Sequence, residues 1–302
     1  MGALSPLLLA AVHAAHAGAA GCDCSSQYVC NQCPVETVVE SMAIAPTAAD
    51  GDDALLLLLT YATESLGRQA VGKAGRAIVA AGGAVAVATA MERFPQDVVL
   101  QRSGCDVLGN LAEASAAGQA AVGEAGGVAR VVAAMLQFAD DRSVQDHGTL
   151  ALGSLALGSA PNQEAIVEAG GCSVVASAMR GFEDSSLLQH VGCLTLGHLA
   201  SGGPAARASV IAAGGAGTAT EAMMTFSTDR TVQDHCCYML YALLGGAEPG
   251  AGAEAAVAAG TIRAAGGHNL AALAAQTHDT LHVQRCQQLL HGLAAVADRD
   301  EV

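Results

Sequence analysis

Three groups of residues in this sequence have types and spacings that could do chemistry. Cys22, Cys24, Cys30 and Cys33 form a CxC-x5-CxxC cluster, and four thiolates can hold zinc tetrahedrally. The spacing is irregular for a zinc finger or ribbon, which needs two well-separated pairs. Cys33-Pro34 falls in register with a Gly-Gly step of later segments, so a worn first repeat accounts for the cluster better than a metal knuckle. A redox use of Cys30-x-x-Cys33 lacks the βαβ pattern that would support it. The four cysteines therefore stand as a weak metal candidate only.

Gln145-Asp146-His147 and Gln233-Asp234-His235 place an acid beside a base, as acid–base catalysis would need. Adjacent helical residues do not face each other, and a catalytic site is unique in a chain whereas this triplet is copied. Gly82-Gly83 and its copies could suggest phosphate loops, but they follow helical patterns rather than strands, and no Gly-Lys-Ser/Thr comes after them. The expectation is a non-enzymatic chain with no catalytic residues and no cofactor.

The copying itself is the strongest signal. Gly-Gly pairs fall at Gly82, Gly126, Gly170 and Gly214, each 44 residues after the last. Met91, Met135, Met179 and Met223 keep that step, as do Gln101, Gln145, Gln189 and Gln233. So do Leu108, Leu152, Leu196 and Leu240, and Leu111, Leu155, Leu199 and Leu243. Upstream, Val35, Val38, Val39 and Met42 reproduce the spacing of Val128, Val131, Val132 and Met135. Downstream, Val257 to Gly260 and Val283-Gln284 continue the pattern after a Gly-rich connection. Terminal units of a repeat array are commonly degenerate.

Each unit carries three helical signals. In one unit Asn162 is placed to cap a short helix, residues 163–168, ending at Gly170-Gly171. In the unit before, Val128, Val131, Val132, Met135 and Leu136 make one apolar stripe of a second helix. A third helix runs from about 144 to 156, with Val144, Gly148, Ala151, Leu152 and Leu155 as its buried face. Gly109, Gly153 and Gly197 recur inside third helices, where a glycine costs ~1 kcal/mol against alanine; close helix approach explains their retention. No such helix can bury its stripe alone, so copies must stack.

These units resemble the armadillo repeat, on EAGGVARVVAAM at 124–135, EAGGCSVVASAM at 168–179, and LGNLA, LGSLA and LGHLA at 108–112, 152–156 and 196–200. The resemblance covers about residues 35 to 296. The expected fold is all-α, a right-handed α-solenoid of about five to six armadillo-type three-helix repeats of ~44 residues. HEAT-type repeats are the runner-up; the Gly-Gly step and three-helix unit favour armadillo. The resemblance implies that third helices line a concave groove that holds an extended segment of another protein. Nuclear-import adaptors of the family use Asn and Trp ladders there. The corresponding columns here read Asn110, Ser154, His198, Ala242 and Asp106, Leu150, Leu194, Tyr238, so one Asn and no Trp are retained and import-signal recognition is not implied. Two turns before the Asn column come Arg102, Asp146, His190 and Asp234, beside Ser103, His147, Val191 and His235.

The candidate partner-binding set is therefore Arg102, Asp106, Asn110, Asp146, Leu150, Ser154, His190, Leu194, His198, Asp234 and Tyr238. The same residues could instead be only the solvated face of each third helix. If they line a groove, the carboxylates suit Lys or Arg of a partner, and His190 between two Asp positions would favour its charged form.

Bulk properties agree. Net charge is −15, from 28 acidic and 13 basic residues, which argues against nucleic acid and is compatible with basic extended segments of other proteins. No apolar run suits membrane insertion. Residues 7–12 faintly resemble a secretory core, but a basic start is missing and His13 and His16 interrupt it. Cys105, Cys172, Cys193, Cys236, Cys237 and Cys286 lie in helical patterns, as reduced core thiols of an intracellular protein would, cytoplasmic or nuclear. The expected organisation is a degenerate segment 1–34, a solenoid 35–296 and an acidic tail 297–302. A self-assembling repeat module, or a regulatory fragment of a longer enzyme-containing protein, is the alternative function.

Overall fold

The computed structural model describes residues 75–76, 78–245, 252–277 and 284–300. The Cys22–Cys33 cluster, the secretory-like start and the register at Val35 to Met42 lie outside the described residues. All regular structure among the described residues is helical, in a repeating short–medium–long order. The helices are α1 (Gly83–Arg93), α2 (Val98–Ala114), α3 (Ala116–Glu124), α4 (Gly127–Gln137), α5 (Arg142–Ala156), α6 (Ala160–Glu168) and α7 (Gly171–Gly181). They continue as α8 (Ser186–Ala200), α9 (Pro204–Ala212), α10 (Gly215–Thr225), α11 (Arg230–Leu243), α12 (Gly252–Ala264), α13 (Gly267–Thr277) and α14 (Gln284–Asp300). The chain divides into two compact units, Met1–Gln137 and Phe138–Val302, so α1 to α4 belong to the first and α5 to α14 to the second.

The Gly-Gly step works as its spacing implies. The first glycine of each pair adopts a left-handed backbone: Gly82 and Gly126 in the first unit, with φ of 82° and 74°, and Gly170 and Gly214 in the second, with φ of 78° and 82°. Only glycine takes this conformation without a Cβ penalty. The second glycine is needed for space. A Cβ on Gly215 would stand 2.7 Å from Val210 Cγ1 and 3.0 Å from its carbonyl oxygen; one on Gly171 would meet Ile166 in the same way. Gly266, with φ of 82°, starts a fifth copy that the 44-residue spacing does not reveal.

Buried glutamines join the second helix of a repeat to the third. Gln101 donates from Nε2 to the Met91 and Phe94 carbonyls at 2.7 and 3.0 Å. In the second unit Gln189 does so to Met179 and Phe182, at 2.9 and 3.1 Å, and Gln233 to Met223 and Phe226, at 2.7 and 3.0 Å. Gln145 bonds the Phe138 carbonyl at 2.9 Å. These are final carbonyls of a helix, which have no partner within it. The third helix is capped at its N-terminus, four residues before each glutamine, by a further column: Asp97, Asp141, Ser185 and Asp229 each accept amides of the first turn.

In the second unit the third helices pack side by side, α5 on α8, α8 on α11 and α11 on α14. Glycine permits the approach, as expected. A Cβ on Gly153 would lie 2.6 Å from Thr195 Oγ1, and one on Gly197 2.6 Å from the Tyr238 ring and 3.3 Å from Met239 Cα. Thr195 also donates its hydroxyl to the Thr149 carbonyl at 3.1 Å.

Three expectations need correction. Leu136 is 62% exposed, so the second-helix stripe ends at Met135. Asn162 caps nothing: it lies inside α6, whose N-cap position is Ser159, and donates to the Leu155 carbonyl at 3.2 Å, holding α6 to α5. Four of the six helical cysteines are not thiols. Cys193 pairs with Cys236, and Cys237 with Cys286, because side-by-side third helices bring their small core residues to Cα separations of 5.0 and 4.9 Å. Cys105 and Cys172 remain free and buried. Burial pushes their thiols up to about 12 and about 11, Asp106 adding to the first, so neither is reactive. Of the six, only these two are reduced core thiols as expected.

Gln189→Leu should leave the Met179 carbonyl without its donor, and that of Phe182 with the Ser185 amide alone, and lower unfolding stability by about 2 kcal/mol, read by urea denaturation. Gly170→Ala has open space for its Cβ, so it should lose only about 1–2 kcal/mol, from backbone conformation. Equal stability of either variant and wild type would contradict these roles.

Candidate partner-binding surface

In the first unit α2 carries Arg102, Asp106 and Asn110 at one-turn intervals, all partly exposed. Leu100, Leu108 and Leu111 of the same helix are buried, which turns the polar positions outward. Asn110 donates to Asp106 at 3.2 Å.

The second unit brings the rest together on neighbouring third helices. α5 contributes Asp146, Leu150 and Ser154, α8 contributes His190, Leu194 and His198, and α11 contributes Asp234 and Tyr238. Leu150 is 44% exposed; the others are partly buried. Ala242, which completes the Asn column, is buried and cannot face a partner.

Side chains from different helices touch across this surface. The His235 ring lies 5.4 Å from that of His190, and its Nδ1 donates to the His190 carbonyl at 3.1 Å. His198 donates from Nδ1 to the Gly153 carbonyl at 3.3 Å and packs edge-on to Tyr238, centroids 5.8 Å apart. Tyr238 OH is 3.3 Å from Ser201 Oγ. Arg285 of α14 binds Asp234 at 2.9 Å and lays its guanidinium over the Tyr238 ring at 4.8 Å. Arg285 was missed as a site residue. The available signal was its place directly after Val283-Gln284, as Asp146 and Asp234 directly follow Val144-Gln145 and Val232-Gln233.

Asp146 differs from Asp234. Its Oδ1 is buried and has no hydrogen-bond partner among the described residues, and the same is true of Thr149 Oγ1 and His190 Nδ1. Burial pushes the Asp146 carboxyl above its ordinary range, against the pull of Arg142 and His147. Burial also pushes His190, His198 and His235 below the usual imidazole value. Asp229 pulls His190 the other way and does not prevail. Arg285 adds to the lowering at His198 and His235. The expectation of a charged His190 is therefore corrected: desolvation outweighs the nearby acid. Among the described residues no group of three or more His, Cys, Asp or Glu could hold a metal ion.

Three depressed imidazoles imply a definite pH response. The unfolded chain takes up protons near pH 6.5, where these folded side chains still refuse them, so stability falls as pH drops below about 6.5. Asp146, with its raised value, opposes this as it takes up its proton. The melting temperature should drop between pH 7.5 and 5.5, and drop less in His190→Gln/His235→Gln. An identical drop in that variant would exclude these two histidines as its source.

No protein-family model matches the sequence, and no curated protein matches it. Solved structures do. An engineered protein is 25% identical at a TM-score of 0.70, over 87% of this chain and 97% of its own. A designed armadillo repeat protein, 14% identical, has a TM-score of 0.70 over 86% of this chain and 99% of its own. Another designed armadillo repeat protein, in complex with peptide (KR)4, is 13% identical with a TM-score of 0.69, over 86% of this chain and 100% of its own. No helix among the described residues is long and apolar enough to cross a membrane. The left-handed glycine steps, the three-helix units and these likenesses together establish the fold of this chain as an all-α, armadillo-type solenoid.

Proposed function

We propose that this chain is a non-enzymatic scaffold that binds an extended, basic segment of another protein along its third helices. The observation that carries this reading is the regular polar and aromatic surface on α5, α8 and α11, with partly exposed Asp146, His190 and Asp234 at one equivalent position per helix and Tyr238 one turn after Asp234. Neighbouring helices pack about 8–10 Å apart, a spacing an extended chain can follow. On α2, Arg102, Asp106 and Asn110 extend the same residue columns in the other unit.

Charge chooses the ligand. A chain of net charge −15 attracts cationic segments, and a designed protein of the same fold is known in complex with (KR)4. Asp146 is partly exposed and, unlike Asp234, is paired with no arginine or lysine among the described residues, so a lysine or arginine can approach its accessible side. Leu150 and Leu194 offer apolar surface to the stem of such a side chain. Asp234 is already paired with Arg285, so it contributes less than Asp146.

Titration calorimetry with the (KR)4 peptide tests this. Binding should weaken steeply with salt. Asp146→Asn should cost roughly fivefold to tenfold in affinity, about 1–1.4 kcal/mol, with the melting temperature unchanged or raised, since a carboxylate whose buried oxygen lacks a donor is removed. Absence of binding, or equal affinity in Asp146→Asn, would reject the reading.

A further inference from the structure

The contact between α14 and α11 has the form of a ligand in its site. Asp234 Oδ2 accepts from Arg285 Nη1 at 2.9 Å, and the same guanidinium stacks on Tyr238 at 4.8 Å. A carboxylate at the edge and an aromatic face beneath are the two surfaces that a planar, delocalised cation recognises best. Tyr238 is fixed from two further sides, by Ser201 at its hydroxyl and by the His198 ring. The side chain of Asp234 is 19% exposed, and that of Arg285 is 37% exposed, so the pair is reachable from solvent. The backbone beneath is held by other means: Cys286, the next residue, is disulfide-bonded to Cys237, and Leu289 and Leu293 of α14 are buried. Arg285 is therefore not what anchors α14.

We infer that Asp234 and Tyr238 form a guanidinium-binding site that Arg285 of the same chain fills, so that an arginine from a partner must displace it. The site stands on its own geometry; only the arrival of a partner arginine rests on the peptide-binding reading. The pair is only partly buried, with the arginine its more exposed member, and solvent screening of such a pair limits what it adds to stability, which lets Arg285 be exchanged. Occupancy in cis divides the surface in two. Asp146, partly exposed and unpaired with a cation among the described residues, is open to an incoming one. Asp234 is closed until Arg285 moves.

Arg285→Ala empties the site while retaining helix propensity. Millimolar ethylguanidinium should raise the melting temperature of Arg285→Ala and leave wild type unmoved. Butylammonium, which has charge without a planar fork, should do less. Adding Asp234→Asn or Tyr238→Leu should remove the response. Arg285→Ala should also bind (KR)4 roughly fivefold tighter than wild type. A response to ethylguanidinium no larger than that of wild type, or one that survives Asp234→Asn, overturns the inference. Failure of wild type to bind (KR)4 rejects the peptide-binding reading instead, and the ethylguanidinium result still decides this one. Should Arg285→Ala prove too unstable to melt cooperatively, α14 does depend on Arg285, and the inference falls.

Discussion

A helix cannot satisfy its own last carbonyls, and here that shortage orders each repeat. A buried glutamine from the third helix reaches the end of the second and donates there, Gln101 in the first unit and Gln189 and Gln233 in the second. The amide serves two carbonyls at once, that of the third-from-last residue of the helix and that of the phenylalanine directly after its end. Because that bond fixes which side of the third helix faces inward, it also fixes which side faces out. The glycine columns then set how closely the next helix can lie, and the residues on the outer side acquire neighbours from other repeats.

Those neighbours give the surface its character. The histidines sit close enough to other helices to be desolvated, and they are held neutral rather than charged. Asp146 is left with an acceptor that no other described residue uses, whereas Asp234, in the same column, is met by an arginine. Equivalent positions in a repeat are thus made unequal by what the following helix brings to them. The two disulfides act on the same helices: α11 bears adjacent Cys236 and Cys237 and is tied through them to α8 on one side and α14 on the other. Residues beside these links, Leu194, Tyr238 and Arg285, are consequently held in fixed relation.

The repeat was legible because its causes are local. A left-handed turn at Gly170, a buried Met179 and a carbonyl clamp at Gln189 each recur wherever the unit recurs, so their columns can be read at one constant step. Two further columns went unread for different reasons. The phenylalanines Phe94, Phe138, Phe182 and Phe226 hold the same step, but their role lies in backbone carbonyls, which have no residue type. The caps Asp97, Asp141, Ser185 and Asp229 mix two residue types, which hides the column until the amides they accept are seen.

By itself the sequence determined the helical unit, its period, its glycine steps and the outward columns of the third helices, since all of these follow from neighbours along one chain segment. Tertiary structure alone decided which cysteines meet, which carboxylate keeps an unused oxygen, and that Arg285 covers Tyr238. Each of those depends on residues 43 to 51 positions apart in sequence, and on the offset between two packed helices, a distance that no spacing within a single helix encodes.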